Sequence, residues 1–421
     1  MHRTRTDLVH DGAVPFTEQE FSRDFRDAWP HVVRALAAWS GSLDDAEEYA
    51  AEAVVRAAEH GAAGRSVDDL AAWCVRVAQR AWIDDHRRGE VFVRRMPELA
   101  PEEVTATVEV DGDLEQGLDD RLALLFVACD EALAPGAQMV LALRVVCGLS
   151  VAQAAAHLGI EPATAAARLT RAKRTLASAR GRFEVPGPEL RRERLPVVLD
   201  CVAGMFTVAH RSGFDPPDPL ADTGRQALSI ADALVVTFPG DTEVRGLRAV
   251  VRLGLARRPG RLDEEGVALT LDEVDRSRWD HRLLAAGMAD ATYAASGRGR
   301  FALEAAISGL HSVAPSVEQT DWPQVVRLYA GLERVWPSPA VTVARLAARA
   351  RVSGEDLTAI ERELERLTTD GPPYAQRDAA FALADLHWRT GRRAEAAAAY
   401  GALVEAVDNE AVRRFCRRRM S

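Results

Sequence analysis

The spacing of apolar residues along this chain predicts helices almost throughout. Apolar positions recur every three or four residues, and no stretch shows the strict alternation typical of a half-buried strand. The clearest early helix carries Phe25, Trp29, Val32, Val33, Leu36 and Trp39, and Gly41-Ser42 interrupts it. Two further helices follow over residues 44–60 and 70–88. The pattern therefore predicts an all-α protein.

Residues 136–182 contain the helix-starting and helix-ending residues expected of a helix-turn-helix. An apolar helix is broken by Gly148, and Ser150 opens a second helix with a glutamine three residues on, as in a capping box. Gly159 ends this second helix, and Pro162 stands where the first turn of a third helix tolerates proline. Short helices joined by a tight turn are typical of motifs whose last helix enters the major groove of DNA.

The third helix of this motif separates its charged residues from its apolar ones. Thr164, Arg168 and Arg171 fall at helical spacing on one polar stripe, opposite an apolar stripe of leucines and alanine. The basic residues of the segment, with no acid between them, are Arg168, Arg171, Lys173, Arg174, Arg180 and Arg182. This pattern predicts a helix that reads DNA. A surface helix of solvated arginines is the alternative.

The overall charge does not fit a protein that binds DNA by itself. The chain has 421 residues and a net charge of −10, and residues 97–120 hold nine acids and no base. Because affinity for DNA phosphates grows with the number of cations presented, we expect the free protein to bind DNA weakly. A partner that supplies DNA affinity would resolve this conflict. The acidic stretch itself predicts a linker over residues 93–118.

The C-terminal part is predicted to be an array of helix pairs over residues 190–421. Its clearest pair spans 374–406 and turns at Gly391, with small residues where the two helices cross, close to a tetratricopeptide (TPR) pattern. Further helices are predicted over 221–236, 242–255, 279–296, 301–313, 322–335 and 340–351, with irregular periods. TPR-like arrays form concave surfaces that bind peptides or protein domains.

The sequence contains no motif of an enzyme. It has no glycine-rich phosphate loop, no nucleophile elbow and no metal-spaced cluster, so we expect no catalytic residue, cofactor or metal. Its five scattered cysteines fit buried free thiols. No apolar run reaches membrane-spanning length, and residues 1–17 lack the apolar core of a signal peptide. We therefore expect a cytoplasmic protein with no membrane partner.

Several runs of the sequence resemble one family of transcription proteins. They are DDRL at 119–122, LAP at 133–135, LRVVCGL at 143–149, RLTRAKR at 168–174, DRSRWD at 275–280, APS at 314–316 and TDW at 320–322. Together they resemble the extracytoplasmic-function (ECF) sigma factors of the sigma-70 superfamily, in the subgroup with a long TPR-like extension. The resemblance covers nearly the whole chain. It implies a region 2 bundle over 18–92 and a region 4 domain over 119–183.

The resemblance also implies roles for individual residues. Region 4 would read the upstream promoter element through Thr164, Arg168, Arg171, Lys173 and Arg174. Region 2 would contact core RNA polymerase through the acidic residues Asp45, Glu47, Glu48 and Glu52. It would hold the downstream promoter element through Arg76, Arg80, Arg87 and Arg88, with the loop over 61–69 as the rim of a base pocket. Trp73 and Trp82 fit either stacking on bases or packing in a helical core.

This chain departs from the usual region 2 pattern at three positions. Ala51 stands where glutamine is usual, Val54 where an aromatic residue is common, and Arg80 where asparagine is frequent. These departures leave polymerase affinity and promoter preference open. The alternatives are a degenerate sigma relative whose extension is a protein-binding scaffold, and a stand-alone helix-turn-helix regulator. In a true sigma factor, the extension would bind a protein partner or clamp the two sigma domains.

Overall fold

The computed structural model describes residues 18–62, 67, 69–94, 118–212 and 222–421. Over these residues the chain forms eighteen α-helices and no strand beyond an isolated antiparallel bridge between Leu262 and Ala268, which confirms the all-α prediction. The chain divides into two compact units, Met1–Cys201 and Val202–Ser421. Nearly all of the predicted acidic linker, and most of the predicted 61–69 loop, lie outside the described residues.

The first unit begins with three helices that pack on one another, as the apolar spacing predicts. Their buried side chains include Trp29, Leu36, Ala50 and Cys74. The helices of this unit are α1 (Glu18–Ser40), α2 (Leu43–Ala62), α3 (Leu70–Arg94), α4 (Asp120–Ala128), α5 (Pro135–Val145), α6 (Val151–Leu158), α7 (Pro162–Arg180) and the first half of α8 (Pro188–Ser212). The break between α1 and α2 falls at Gly41, whose φ of 75° favours glycine.

The short helix α4 is apolar on almost every side and joins the first three helices to those that follow. Its fully buried side chains include Leu122, Leu124, Leu125 and Phe126. A helix that is apolar all round needs packing partners on every side. Asp120 at its start pairs with two side chains of α1, Arg34 at 2.8 Å and His31 at 2.9 Å. These ion pairs attach α4 to the first bundle.

The start of α8 belongs to the fold of the first unit. Arg194 is buried, and its guanidinium lies 2.5 Å from the buried Asp130 carboxylate in the loop between α4 and α5. Arg194 also donates a hydrogen bond to the Phe126 carbonyl at 3.0 Å. Arg180 at the end of α7 reaches the same carboxylate at 2.8 Å. The start of the predicted C-terminal array therefore neutralises a buried acid in the first unit.

The second unit is built of helices that pack on their neighbours in the chain. The helices are α9 (Thr223–Thr237), α10 (Thr242–Ala256), α11 (His281–Ala294), α12 (Arg300–Val313), α13 (Trp322–Val335), α14 (Pro339–Arg349), α15 (Leu357–Asp370), α16 (Pro373–Arg389), α17 (Arg393–Ala406) and α18 (Glu410–Met420). Many begin at an aspartate or asparagine whose side chain accepts backbone N–H groups, namely Asp222, Asp241, Asp280, Asp321, Asp356 and Asn409. The turn between α16 and α17 falls at Gly391, as predicted.

The connection between α10 and α11 is irregular and holds two 3₁₀ turns, Arg258–Gly260 and Arg276–Arg278. The sequence predicts a helix from residue 279, but α11 begins at His281 because Asp280 caps it. Asp275 instead caps the second 3₁₀ turn by accepting the Ser277 N–H. This places an arginine-rich turn beside α12.

Candidate nucleic-acid interface

Local hydrogen bonds fix the turn between α6 and α7. The Ser150 hydroxyl accepts the Gln153 N–H at 3.1 Å, and the Gln153 amide oxygen accepts the Ser150 N–H at 2.8 Å. This reciprocal pair is the predicted capping box. Gly159 then ends α6 in the left-handed conformation, at a φ of 62°, and Pro162 begins α7. The helix-turn-helix is therefore set by its own caps.

The two faces of α7 differ in burial, as the stripes predict. Ala165, Leu169, Ala172 and Leu176 are buried against α5 and α6. On the other side Thr164 and Arg171 are exposed, while Arg168 is partly buried. The Arg168 guanidinium lies against Gly136, where an added Cβ would come within 3.1 Å of Nη1. The structure thus brings Thr164, Arg168 and Arg171 to one face.

Three arginines on α7 have no acidic partner in the part of the chain that the structure describes. Arg168, Arg171 and Arg174 form no ion pair with any residue that the structure describes. A row of uncompensated cations on the last helix of a helix-turn-helix is the electrostatic footprint of a phosphate-binding surface. Within the described residues, this face of α7 therefore carries positive charge that no carboxylate neutralises.

Lys173 has a different environment from these arginines. Its Nζ lies 2.6 Å from Asp44 Oδ1 and 2.8 Å from Glu47 Oε2, both on α2. Burial lowers the pKa of Lys173, but the two carboxylates outweigh that effect and raise it. Lys173 is therefore positively charged and contacts α2. It does not extend the exposed face of α7 that carries Arg168 and Arg171.

The acidic surface of α2 is partly covered by cations from α5 and α7. Glu47 is paired with Arg144 of α5 as well as with Lys173, and its side chain is only 5% exposed. Arg144 also donates to the Leu149 carbonyl and lies over the Trp29 ring at 5.7 Å. Asp44 remains 72% exposed. A lone arginine inside the apolar run LRVVCGL is the sequence signal for this buried partner, which the sequence analysis missed.

The other acidic residues predicted to contact polymerase are more open. Asp45 accepts a hydrogen bond from Trp82 Nε1 at 3.1 Å, which fixes that indole against α2. Glu48 is exposed, and Glu52 pairs with Arg56 on the same helix at 2.6 Å. The predicted polymerase surface is thus divided into a covered part at Glu47 and an open part along Glu48 and Glu52.

The arginines predicted to hold downstream DNA all project from α3 into solvent. Arg76, Arg80, Arg87 and Arg88 are exposed. Arg88 also pairs with Asp85 one turn back at 3.5 Å, a contact of little energetic weight. Trp82 is half-buried, edge-on to Trp39 at 4.7 Å and stacked on His86 at 3.6 Å. Its indole is therefore occupied by protein contacts in this state.

Other site chemistry is limited in the described residues. They contain no group of three His, Cys, Asp or Glu side chains arranged to hold a metal ion. The five cysteines are all buried and free. Within the same part of the chain, none of the helices is both long and apolar enough to cross a bilayer.

Comparisons with known proteins agree with this geometry. The helices α6 and α7 form a helix-turn-helix, and residues 124–176 match the family "Sigma-70, region 4". Residues 194–295 match a family of unknown function, DUF6596. An uncharacterized protein of Rhizobium meliloti (strain 1021), R00370, is 34% identical over 352 residues, which cover 81% of this chain and 82% of that protein. No solved structure matches the chain. The chain belongs to the same family as R00370, and its residues 124–176 are similar to sigma-70 region 4.

Proposed function

We propose that this protein is an alternative sigma factor that binds core RNA polymerase and directs transcription from a small set of promoters. The observation that carries the proposal is a set of arginines on the last helix of a region similar to sigma-70 region 4, Arg168, Arg171 and Arg174, which form no ion pair with the described residues. An arginine at a base edge contributes about 1–3 kcal/mol of discrimination when it makes a bidentate contact to guanine. Polymerase carries the catalysis, and this chain supplies recognition.

The contact with polymerase is assigned to α2. Asp44 and Glu47 already hold cationic side chains within the free protein, which supports a surface suited to basic partner residues. Glu48 and Glu52, further along α2, extend that surface with exposed carboxylates. The arginines of α3 are assigned to the backbone of the downstream promoter element, and Trp82 would leave its protein contacts to stack on a base.

We assign the structure described above to a closed, inactive state of the sigma domains. Arg144 and Lys173 occupy acidic positions on α2 that polymerase would use, so the two contacts exclude each other at Glu47. A cavity of about 640 Å³, open to solvent, lies beside the seam between α2 and α7 and is lined in part by Asp44, Lys173 and Arg174.

The remaining assignments complete this proposal. We place the protein in the ECF group, with region 2 over 18–92, region 4 over 119–183 and a TPR-like extension over 190–421. The extension would regulate the sigma domains or bind a protein partner, and the protein would act in the cytoplasm. The buried contact of Arg194 with Asp130 supports a functional link, because the first helix of the extension takes part in the sigma fold.

One experiment tests recognition and polymerase binding separately. The full-length protein is mixed with core RNA polymerase from a related bacterium, passed over gel filtration and used for transcription of genomic DNA. We expect co-elution and defined new start sites. The double variant Arg168→Glu with Arg171→Glu should keep co-elution and lose these starts. A matched charge reversal at exposed sites away from the interface, Arg192→Glu with Arg362→Glu, should retain both.

The result also separates the rival functions. A stand-alone regulator would bind specific DNA tightly without polymerase, and the acid excess of the N-terminal half argues against that outcome. A degenerate relative would fail to co-elute even when the seam is opened by Arg144→Gln. Either outcome would overturn the proposal.

A further inference from the structure

Two segments of the second unit bring arginine side chains to the C-terminal end of α12, where His311 lies. Arg257 at the end of α10 donates from Nη2 to the Ser308 hydroxyl at 3.1 Å. Arg276 in the 3₁₀ turn donates from Nη1 to the carbonyls of His311 at 3.0 Å and Ala314 at 2.6 Å. Two guanidinium groups and one imidazole therefore meet around the last turn of a single helix.

These groups have no carboxylate partner among the described residues. Arg257 and Arg276 form no ion pair there, and Arg276 Nη2 and His311 Nδ1 are buried without a hydrogen-bond partner. The acid that acts on Arg276 from a distance is Glu318, an exposed side chain already engaged with Ser316. Buried charges and polar atoms are normally paired, so unpaired ones indicate a missing ligand or solvent molecule.

Neighbouring arginines show that this shortage of acid is local. Arg248 and Arg252 on α10 share the buried carboxylate of Asp290, at 2.7 and 2.8 Å. Arg258, next in the chain to Arg257, pairs with the buried Asp222. Acids of α11 and of the α9 cap thus neutralise these neighbours, while the described residues provide none for Arg257 and Arg276.

The electrostatic consequence is strong mutual repulsion. Burial and the charge of Arg276 lower the pKa of Arg257 to about 10. Burial, then Arg257 and Arg276, lower the pKa of His311 to about 4, so its ring is neutral near pH 7. The partial negative charge at the C-terminal end of α12 offsets part of this field. It does not satisfy Arg276 Nη2 or His311 Nδ1, which remain unpaired.

We propose that this arginine cluster, Arg257, Arg276 and His311, is a binding site for a phosphate group. A tetrahedral oxyanion accepts hydrogen bonds from two guanidinium groups at once and would neutralise both. Trp279, 4.8 Å from Arg276, and Trp322, edge-on to His311 at 5.3 Å, supply apolar walls that reduce competition from water. The phosphate comes either from inorganic phosphate or from a small phosphomonoester.

The runs DRSRWD and APS–TDW, singled out in the sequence, meet at this site. Arg276 and Trp279 come from the first run, and Arg276 binds the Ala314 carbonyl at the start of the second. Trp322, from the same stretch, packs on His311. The ligand site gives these runs a role that polymerase binding and promoter recognition do not. It is independent of the proposed sigma function.

The site is tested by thermal unfolding of the full-length protein in inorganic phosphate or glycerol 3-phosphate, with chloride adjusted to constant ionic strength. We expect a saturable rise in Tm with phosphate. Arg257→Gln should abolish the rise, and Arg257→Lys should weaken it. Arg327→Gln, an exposed arginine on α13, should leave the rise intact. A preference for the ester assigns the site to a phosphorylated metabolite, and equal responses assign it to free phosphate.

A second measurement separates ligand binding from a structural role of these charges. NMR titration of the His311 ring, assigned with His311→Gln, should show its pKa rising when phosphate is added. In phosphate-free buffer Arg257→Gln should not lower Tm, because it removes an uncompensated charge. The proposal is overturned if phosphate gives no saturable Tm rise, if Arg257→Gln responds like the wild type, or if the pKa of His311 does not move.

Discussion

Glu47 of α2 and Lys173 of α7 form a shielded ion pair, with 2.8 Å between Oε2 and Nζ. The contact joins a helix predicted to bind polymerase to a helix predicted to bind DNA. Lys173 is also the only lysine of the chain, so its amine is a unique chemical reporter. Only 16% of this side chain is exposed. The reactivity of Lys173 Nζ therefore reports whether the seam is open or closed.

We expect acylation of Lys173 to be slow in the free protein and faster when the seam opens. Arg144→Gln removes one ion-pair partner of Glu47. Loss of a buried charged contact destabilises the closed seam by about 1–3 kcal/mol, which raises the population of the open state roughly tenfold. Mass spectrometry of the peptide containing Lys173, after a short pulse of acylating reagent, measures the rate.

The matched control is Arg192→Gln on the exposed side of α8, which should leave the rate unchanged. Arg144→Gln should also bind core polymerase more tightly than the wild type. A closed state that does not compete with polymerase would give faster acylation of this variant with unaltered polymerase affinity.

Glu47 and Asp44 offer a test of how burial sets the strength of an ion pair. Glu47 is 5% exposed and pairs with two cations, whereas Asp44 is 72% exposed and pairs with one. We expect Glu47→Gln to cost roughly 2–4 kcal/mol of unfolding free energy, because it strands Arg144 and Lys173 in a partly desolvated seam. Asp44→Asn should cost less than about 1 kcal/mol.

Urea unfolding of both variants checks the comparison. Equal losses would mean that the Glu47 contact is solvated in solution and that the seam is already open.

Alanine variants of two glycines with left-handed backbone distinguish the cost of backbone strain from the cost of a steric clash. A Cβ at Gly148, with a φ of 66°, would lie 3.3 Å from the Trp29 ring, whereas at Gly159, with a φ of 62°, it would meet nothing within 4 Å. We expect Gly159→Ala to cost about 1–2 kcal/mol from the backbone alone. Gly148→Ala should cost more, since the Trp29 contact must also shift.

Thermal or urea unfolding of the two variants measures the difference. If Gly159→Ala proves the more damaging of the two, Trp29 does not pack on Gly148 in solution.

The stability of the second unit should fall in acid because of His311. Its pKa is about 4 in the folded protein against an ordinary 6.5, so the unfolded chain takes up the proton first as pH falls. The stabilisation is fully present above pH 6.5 and is lost towards pH 4, up to about 3 kcal/mol before reduction for partial exposure.

Unfolding free energies in phosphate-free buffer between these pH values test this. His311→Gln should flatten the slope, while His281→Gln, an exposed histidine on α11, should not. Equal slopes for the wild type and His311→Gln would show that His311 has the same pKa in the folded and unfolded protein.

Capping and turn residues made the structure of the helix-turn-helix predictable from the sequence. Ser150, Gly159 and Pro162 act through backbone groups only a few residues away, so their effect can be inferred without knowing the tertiary fold. The face of α7 followed from helical spacing for the same reason. The helices α15 and α18 were not predicted individually, although each begins at a capping residue, Asp356 or Asn409.

The environment of the candidate site could not be predicted in the same way. Whether Lys173 faces DNA or Glu47 depends on a contact between segments far apart in sequence, which helical periodicity does not encode. Arg257 and Arg276 likewise look like ordinary surface arginines until folding brings them to the same turn of α12. The predicted roles of the α2 acids and α3 arginines remain predictions.

The salt bridge between Arg194 and Asp130 has a consequence for how such a protein could have been assembled in evolution. A chain cut in the linker after Phe183 would lose Arg194 and leave the buried Asp130 with Arg180 as its remaining ion-pair partner. We therefore expect such a truncated chain to be less stable than the same part of the full-length protein. Once this arginine had taken over part of the neutralisation of that acid, recombination at the linker would have yielded a weakened sigma domain, and the two parts would have been inherited together.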